Sequence, residues 1–395
     1  MMKRSTFFSR VKLFGLVLGG ITVLGFSSCS DDDPIDPPTG FQVVRDDLRG
    51  EINEGTVVLE SGTYKLTGKL IVNAGATLTI KAGVIVEATN LSQDRQDIRY
   101  IAVAQGGKIN VEGSASSPVV FTATTKTPGA WGGLVLCGRA PINKGATASA
   151  EVSDLTYGGT DVNDNSGSIK YLRIEYSGYA YNSEKEFNGL SFFGVGKGTT
   201  VEYVQSYDGS DDAFEWFGGT VDAKYLVAIN KHESVGDDIF DWTEGWNGTG
   251  ENWYGWRTND GNRGIEADNN ADNHGATPIS NPTIKNLTLV GNGAGGENHA
   301  IKMRVGTNGN FDNVVLANWG TGFDIQHDES LAFVTAGTLK ATNVRFENVT
   351  TLAKGTPTTG PAIELPNLFT VNANATGAGN GTGKPTWADG WTVGW

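Results

Sequence analysis

Cysteine is almost missing from this chain, with two in 395 residues, so a framework of several disulfides is excluded. Histidine and methionine are nearly as scarce, at four and three. The shortage of imidazole leaves oxygen ligands as the main metal chemistry on offer. Positive charge is also short: 30 Lys and Arg stand against 44 Asp and Glu, for a formal net charge of −14. A nucleic-acid partner needs a basic face for its phosphates, and this composition argues against one. Charged residues make up only 19% of the chain, too few for a disordered polymer. Beyond the N-terminus there is no convincing helical periodicity, which excludes a helical bundle.

What is abundant is glycine, 55 residues against 12 prolines, as many tight turns between short strands would require. From Thr56 to Val86 the chain alternates β-prone runs with glycine turns. The pairs Leu70/Val72, Leu78/Ile80 and Val84/Val86 follow the period of two expected of half-buried strands. Strands this short cannot bury a face alone and must stack. Comparable runs follow at Ile101–Gly113, Pro118–Ala123 and Trp131–Ile142. Residues 143–168 are rich in Gly, Asn, Asp, Ser and Thr and leave the stack as an excursion. The runs resume at Ile169–Gly178, Val201–Gly209, Ala223–Lys231, Thr283–Gly293, Phe311–Gly322 and Leu339–Thr350. A charged–Tyr–apolar triplet recurs at Lys170-Tyr171-Leu172, Glu202-Tyr203-Val204 and Lys224-Tyr225-Leu226. Asn286, Asn313, Asn343 and Asn348 sit where stacked turns would let side-chain amides form ladders. The pattern resembles a right-handed parallel β-helix. The expectation is an all-β, single-domain solenoid over 46–395, of about a dozen coils at roughly 25 residues each. Trp387, Trp391 and Trp395 would suit a C-terminal cap over the last coil.

The N-terminus reads separately. Lys3, Arg4, Arg10 and Lys12 precede an apolar run from Leu13 to Phe26 that ends in FSSC, the layout of a secretory signal peptide over 1–28. The small residues before Cys29 resemble a bacterial lipoprotein lipobox, which implies that Cys29 becomes the acylated first residue of the mature chain. Residues 29–45 form an acidic, Pro-rich tether. Cys137, in the apolar run LVLC, is then a buried thiol without a partner.

One motif is written twice. GSDDAFEW (209–216) and VGDDIFDW (235–242) superpose at 26 residues, placing Asp211, Asp212, Phe214, Glu215 and Trp216 on Asp237, Asp238, Phe240, Asp241 and Trp242. Extending that spacing once more puts Ile239 on Ile265. Ala213, Ile239 and Ile265 would then face inward and Phe214, Trp216, Phe240 and Trp242 outward; the opposite parity buries the aromatics and lays Glu215 and Asp241 outside, but then buries Glu266 and Asp268. The segment Trp242–Trp256 is too rich in Gly and Asn for a strand and reads as a loop. Its Trp246, Trp253, Tyr254 and Trp256 would join the outward rings as a platform for sugar rings; the other reading has these indoles packing on the solenoid flank. For Asp211, Asp212, Glu215, Asp237, Asp238 and Asp241 three readings stay open. Carboxylates stacked about 4.8 Å apart could hold Ca2+. A pair could act in glycoside hydrolysis. Asp could instead bond backbone at turns. His274, His299 and His327 read either as a metal trio or as surface and ladder residues.

GDDI (236–239), YDGSDD (207–212) and AIKMR (300–304) resemble motifs of polygalacturonase-type β-helix glycosidases, which implies catalytic roles for Asp237 and Asp238. Where that family carries Gly-His-Gly, this chain reads RGIEADNN (263–270). A pectate-lyase-like reading would put calcium on the acids and use Lys302 or Arg304 as base. Through WGGLVLCGRAPIN (131–143), DDAFEWFGGT (211–220) and WADGWTVGW (387–395), the chain is also similar to a family of Bacteroidota surface lipoproteins. That resemblance implies an outer-membrane, lipid-anchored protein binding an extracellular ligand, a glycan above all, for a TonB-dependent transporter. A polysaccharide hydrolase or lyase, and a structural or adhesive protein, are the alternatives.

Overall fold

A single residue turns each coil. Tyr171, Tyr203, Tyr225, Asn252, Asn286, Asn313 and Asn343 all take a left-handed backbone, with φ between 52° and 60°. Each stands alone between two strand stretches, and the pairings resume on either side of it. Asn tolerates this region better than most residues because its side chain is short and bonds locally. The repeated charged–Tyr–apolar triplet is therefore a corner. Tyr171 stacks on Tyr203 at 4.4 Å and Tyr203 on Tyr225 at 4.4 Å, both nearly parallel. The column continues in amides: Asn286 Nδ2 donates to Asn252 Oδ1 (3.1 Å) and Asn313 Nδ2 to Asn286 Oδ1 (2.8 Å). Asn348 Nδ2 donates to Asn318 Oδ1 (3.0 Å) at a second corner.

The computed structural model describes residues 40–90, 98–182, 185–233, 236–258, 260–293 and 298–395. The signal peptide, Cys29 and residues 30–39 of the expected tether lie outside them. All strands but two join one 22-stranded sheet, whose strand pairings are parallel throughout. It winds as a right-handed β-helix with three faces. The first face starts with Gly55–Leu59, Ala76–Lys81 and Lys108–Glu112; the second includes Ile85–Ala88 and Val119–Ala123. The third stacks Ile101–Val103, Leu134–Cys137, Leu190–Phe193, Phe214–Phe217, Phe240–Thr243, Ile265–Ala267 and His299–Met303. Most of residues 143–168 leave the stack, forming the separate hairpin Ala148–Ser149 with Thr156–Tyr157, while Gly167 and Ser168 already pair in the main sheet. Cys137 is fully buried and free, and burial pushes its thiol up to about 12.

The first face carries an outer column of strictly alternating charge. Lys81, Glu112, Lys170, Glu202, Lys224, Glu251, Lys285 and Asp312 are register partners in that order. Ion pairs span Lys81–Glu112 at 2.8 Å, Lys170–Glu202 at 3.0 Å and Lys224–Glu251 at 3.1 Å.

Three expectations are corrected. The loop 242–256 is largely a strand, Thr249–Arg257. Its glycines make room for indoles: a Cβ on Gly250 would lie 2.5 Å from the Trp253 ring, and one on Gly248 2.6 Å from Trp246. The C-terminal tail is no cap. It runs back along the flank, where Thr382 O accepts from Tyr254 (2.7 Å) and Val393 bonds Gln205 in both directions. Trp391 is buried edge-on against Tyr171 and Tyr203. A short helix, Asp328–Thr335, also interrupts the strands, with Leu331 and Val334 turned to the core.

Candidate functional site

The repeated motif occupies the third face, and its register decides which side chains reach solvent. Phe214 pairs with Phe240, and Phe240 with Ile265, not Ile239 with Ile265. The third copy is one residue shorter, and a one-residue slip exchanges the two sides of a strand. The expected parity is thus reversed. Phe214, Trp216, Phe240 and Trp242 point into the core at 0% exposure, as do Trp246 and Trp253. Ala213 and Ile239 are buried too, just before their strands begin. Phe192 stacks on Trp216 (5.1 Å), Trp216 on Trp253 (5.0 Å) and Phe214 on Phe240 (5.7 Å). Trp242 Nε1 donates to Thr307 Oγ1, and Trp253 Nε1 to the Ala223 carbonyl. These six rings cannot serve as a binding platform, because no ligand can reach them. Tyr254, 2% exposed, lies under the returning tail; Trp256 alone of the expected set is half-buried.

The same register turns the acids outward. One column on the outer side of the third face reads Ser191, Glu215, Asp241, Glu266, Lys302, Asp324 and Lys354. Asp212 and Asp238 stand beside it at the strand entry, and Asp268 and Arg304 at the exit. Three overlapping triplets bring carboxylate oxygens within 4.8 Å of one another: Asp211/Asp212/Asp237, Asp212/Glu215/Asp241 and Asp238/Asp241/Glu266. The expected metal residues therefore do converge, with Glu266 added. Glu266 follows from the correct register, and the 26-residue extension missed it.

Some of these acids are tied up. Asp212 Oδ1 accepts the Asp238 backbone N–H at 2.7 Å, and Asp238 Oδ1 accepts that of Arg263 at 2.6 Å. The second Asp of each motif copy therefore holds the entry of the next coil. Asp238 also faces the Arg263 guanidinium at 3.2 Å and is 1% exposed. Asp237 accepts from the Asn262 amide. A nucleophile or acid at Asp238 would have no path to a glycosidic oxygen, so the catalytic role implied by the glycosidase resemblance is not supported for Asp238. Arg304 bonds Glu266 (2.6 Å) and Asp268 (2.8 Å). Burial opposes its charge, yet the Asp268 hydrogen bond and the charges of Asp268 and Glu266 outweigh burial and raise its pKa.

Glu215 and Asp241 are the least compensated. Glu215 accepts from Asn188 Nδ2 at 2.5 Å, and Asp241 Oδ1 is buried with no hydrogen-bond partner among the described residues. Burial first, and then neighbouring carboxylates, push Asp211, Asp212, Glu215 and Asp241 well above the usual carboxylate range. By the same causes Asp238 rises to about 6 and Glu266 to about 7. Carboxylates this close cannot all stay ionised without a compensating cation. A hard divalent ion such as Ca2+ takes six to eight oxygens, and Asp212, Glu215 and Asp241, whose oxygens lie within 4.8 Å of one another, supply that donor chemistry.

The histidines do not meet. His274 Nδ1 lies 2.9 Å from Glu329, with its ring 4.9 Å from that of His327. His299 sits apart, 3.2 Å from the buried Asp324. His327 Nδ1 accepts the Val305 N–H at 3.0 Å, which places its proton on Nε2.

A family model described as a pectate-lyase like beta helix domain matches residues 50–392, and the chain belongs to that family. No curated protein matches the chain.

Proposed function

We propose that this member of the pectate-lyase-like β-helix family binds an extracellular polysaccharide along the outer side of its third face, with a divalent cation held by Asp212, Glu215 and Asp241. A polysaccharide-related role is what the family suggests. The observation that carries the reading is the unbroken column Glu215–Asp241–Glu266, in which no base separates three carboxylates. A bound cation would offset their repulsion and present positive charge to a glycan carboxylate or hydroxyl. Binding is favoured over cleavage by two details. Arg304, clamped between two carboxylates, stays protonated and is a poor base. Asp238 is sealed by Arg263. In the same proposal the protein is acylated at Cys29, sits on the outer membrane surface and delivers its ligand to a TonB-dependent transporter. The anchor is supported by the N-terminal sequence alone, and the transporter only by the resemblance to Bacteroidota surface lipoproteins.

The test is a glycan array probed with and without calcium, beside an assay for released reducing ends. Calcium-dependent binding without release, lost in Asp241→Asn, is expected. Binding with no calcium-dependent component, or a calcium-dependent component that survives Asp241→Asn, would overturn the reading, and release of reducing ends would put a polysaccharide-degrading enzyme in its place. Palmitate labelling that survives Cys29→Ala would remove the anchor.

A further inference from the structure

The second face holds a cleft that the carboxylate column does not touch. The returning tail crosses this face and stands off from it, leaving a space of about 570 Å3 lined by Tyr254, Trp256, Asn318, Asn348, Lys384 and Trp395, among others. That volume lies within the roughly 300–1,000 Å3 of small-ligand sites. Its floor is low, because Val290 and Ala317 present short side chains there. One wall is aromatic: Trp256 and Trp395 lie 29° from parallel with centroids 6.4 Å apart, and Tyr254 meets Trp395 at 5.0 Å. Both tryptophans are half-buried, unlike the sealed indoles of the core.

The wall is built to stay. Tyr254 donates to the Thr382 carbonyl at 2.7 Å, fixing the tail's distance from the sheet. Lys231 Nζ sits 4.7 Å from the Trp256 ring centroid and Lys384 Nζ 5.3 Å from that of Trp395, cation–π contacts that steady both rings. The opposite wall is polar. Asn348 Nδ2 donates to Asn318 Oδ1 at 3.0 Å, which fixes two amides whose remaining N–H and C=O groups can bond hydroxyls. Flat aromatic rings facing amides and an ammonium match a pyranose ring, which has an apolar C–H face and an edge of hydroxyls.

We infer that this cleft is a glycan-binding subsite, taking a pyranose ring against Trp256 and Trp395. It needs no cation and does not depend on the carboxylate column. The probes are cellohexaose, xylohexaose, mannohexaose and hexagalacturonate, titrated calorimetrically into the full chain in EDTA. At least one should bind, with affinity at least tenfold weaker in Trp256→Ala and in Trp395→Ala. Lys384→Ala, which removes a half-buried ammonium paired with Asp389 at 2.9 Å and set against Trp395, should weaken binding several-fold. Circular dichroism confirms that each variant folds. The inference is overturned if none of the four sugars binds in EDTA, or if binding survives both folded tryptophan variants. Loss in Asp241→Asn with retention in Trp256→Ala would overturn it as well, assigning the binding to the third face.

Discussion

In chelator, raising the pH from 5 to 8 should destabilise this protein, and calcium should offset part of the loss. Asp238 moves from 3.8 to about 6 and Glu266 from 4.5 to about 7 on folding. A carboxyl with a raised folded pKa keeps its proton in the native state where the unfolded chain has already lost it. Stability from that proton is complete below the unfolded value near 4 and is lost as pH climbs through 6 to 7. Each pKa unit is worth about 1.4 kcal/mol, so either group costs about 3 kcal/mol at pH 8. The two charges repel each other, so their costs are not independent, and a total of about 3–6 kcal/mol is expected. Below about pH 4 the trend reverses, because Asp312, held low by its Thr342 hydrogen bond, loses stabilisation on protonation. A cation at a hundred times its Kd restores about 2.7 kcal/mol. The assay is urea denaturation at pH 5, 6.5 and 8 in EDTA and in calcium. Asp241→Asn, which removes the middle charge of the column, should raise stability in EDTA at pH 8 and shrink the calcium increment. A midpoint that stays flat or rises between pH 5 and 8 in EDTA, together with no calcium response, would refute the reasoning.

Trp216→Ala should cost about 3–5 kcal/mol by opening a cavity among Phe192, Trp246 and Trp253, measured by the same denaturation; a change below 1 kcal/mol would contradict the inward parity. Asn286→Ala should cost about 1–2 kcal/mol, because Ala is strained at φ 57° and both ladder bonds are lost; Asn286→Gly, relieving only the backbone, should recover part of that loss. Cys137 should resist a thiol reagent in the native protein and react on unfolding, and prompt native labelling would contradict its burial.

The architecture was legible because strand alternation and glycine spacing report directly on stacked coils, and so was the Asn ladder. The Trp-rich segment was not, because glycine propensity says nothing of an indole filling the space that a missing Cβ leaves at Gly248 and Gly250. The site was half legible. The motif repeat brought Asp211 to Asp241 together, but the parity turned on one residue missing between Phe240 and Ile265. With the slip, the acids seemed buried and Glu266 seemed to lie apart from them; without it, all three acids share one column. The tail's path back across the flank depends on contacts such as Val393 with Gln205, 188 positions apart in sequence, which no local pattern encodes.

The alternating column on the first face also sets a rule for how the solenoid can change length. Its period is two coils, since Lys and acid exchange at every step from Lys81 to Asp312. Deleting one coil, for instance that of Glu202, would bring Lys170 onto Lys224, and duplicating one would place like charges face to face, which directly opposed strand positions penalise. Removing or adding coils in pairs keeps every neighbour opposite in sign. The ladder thus works as a parity check on the number of coils between its ends, and makes insertion or loss of a coil pair the tolerated step.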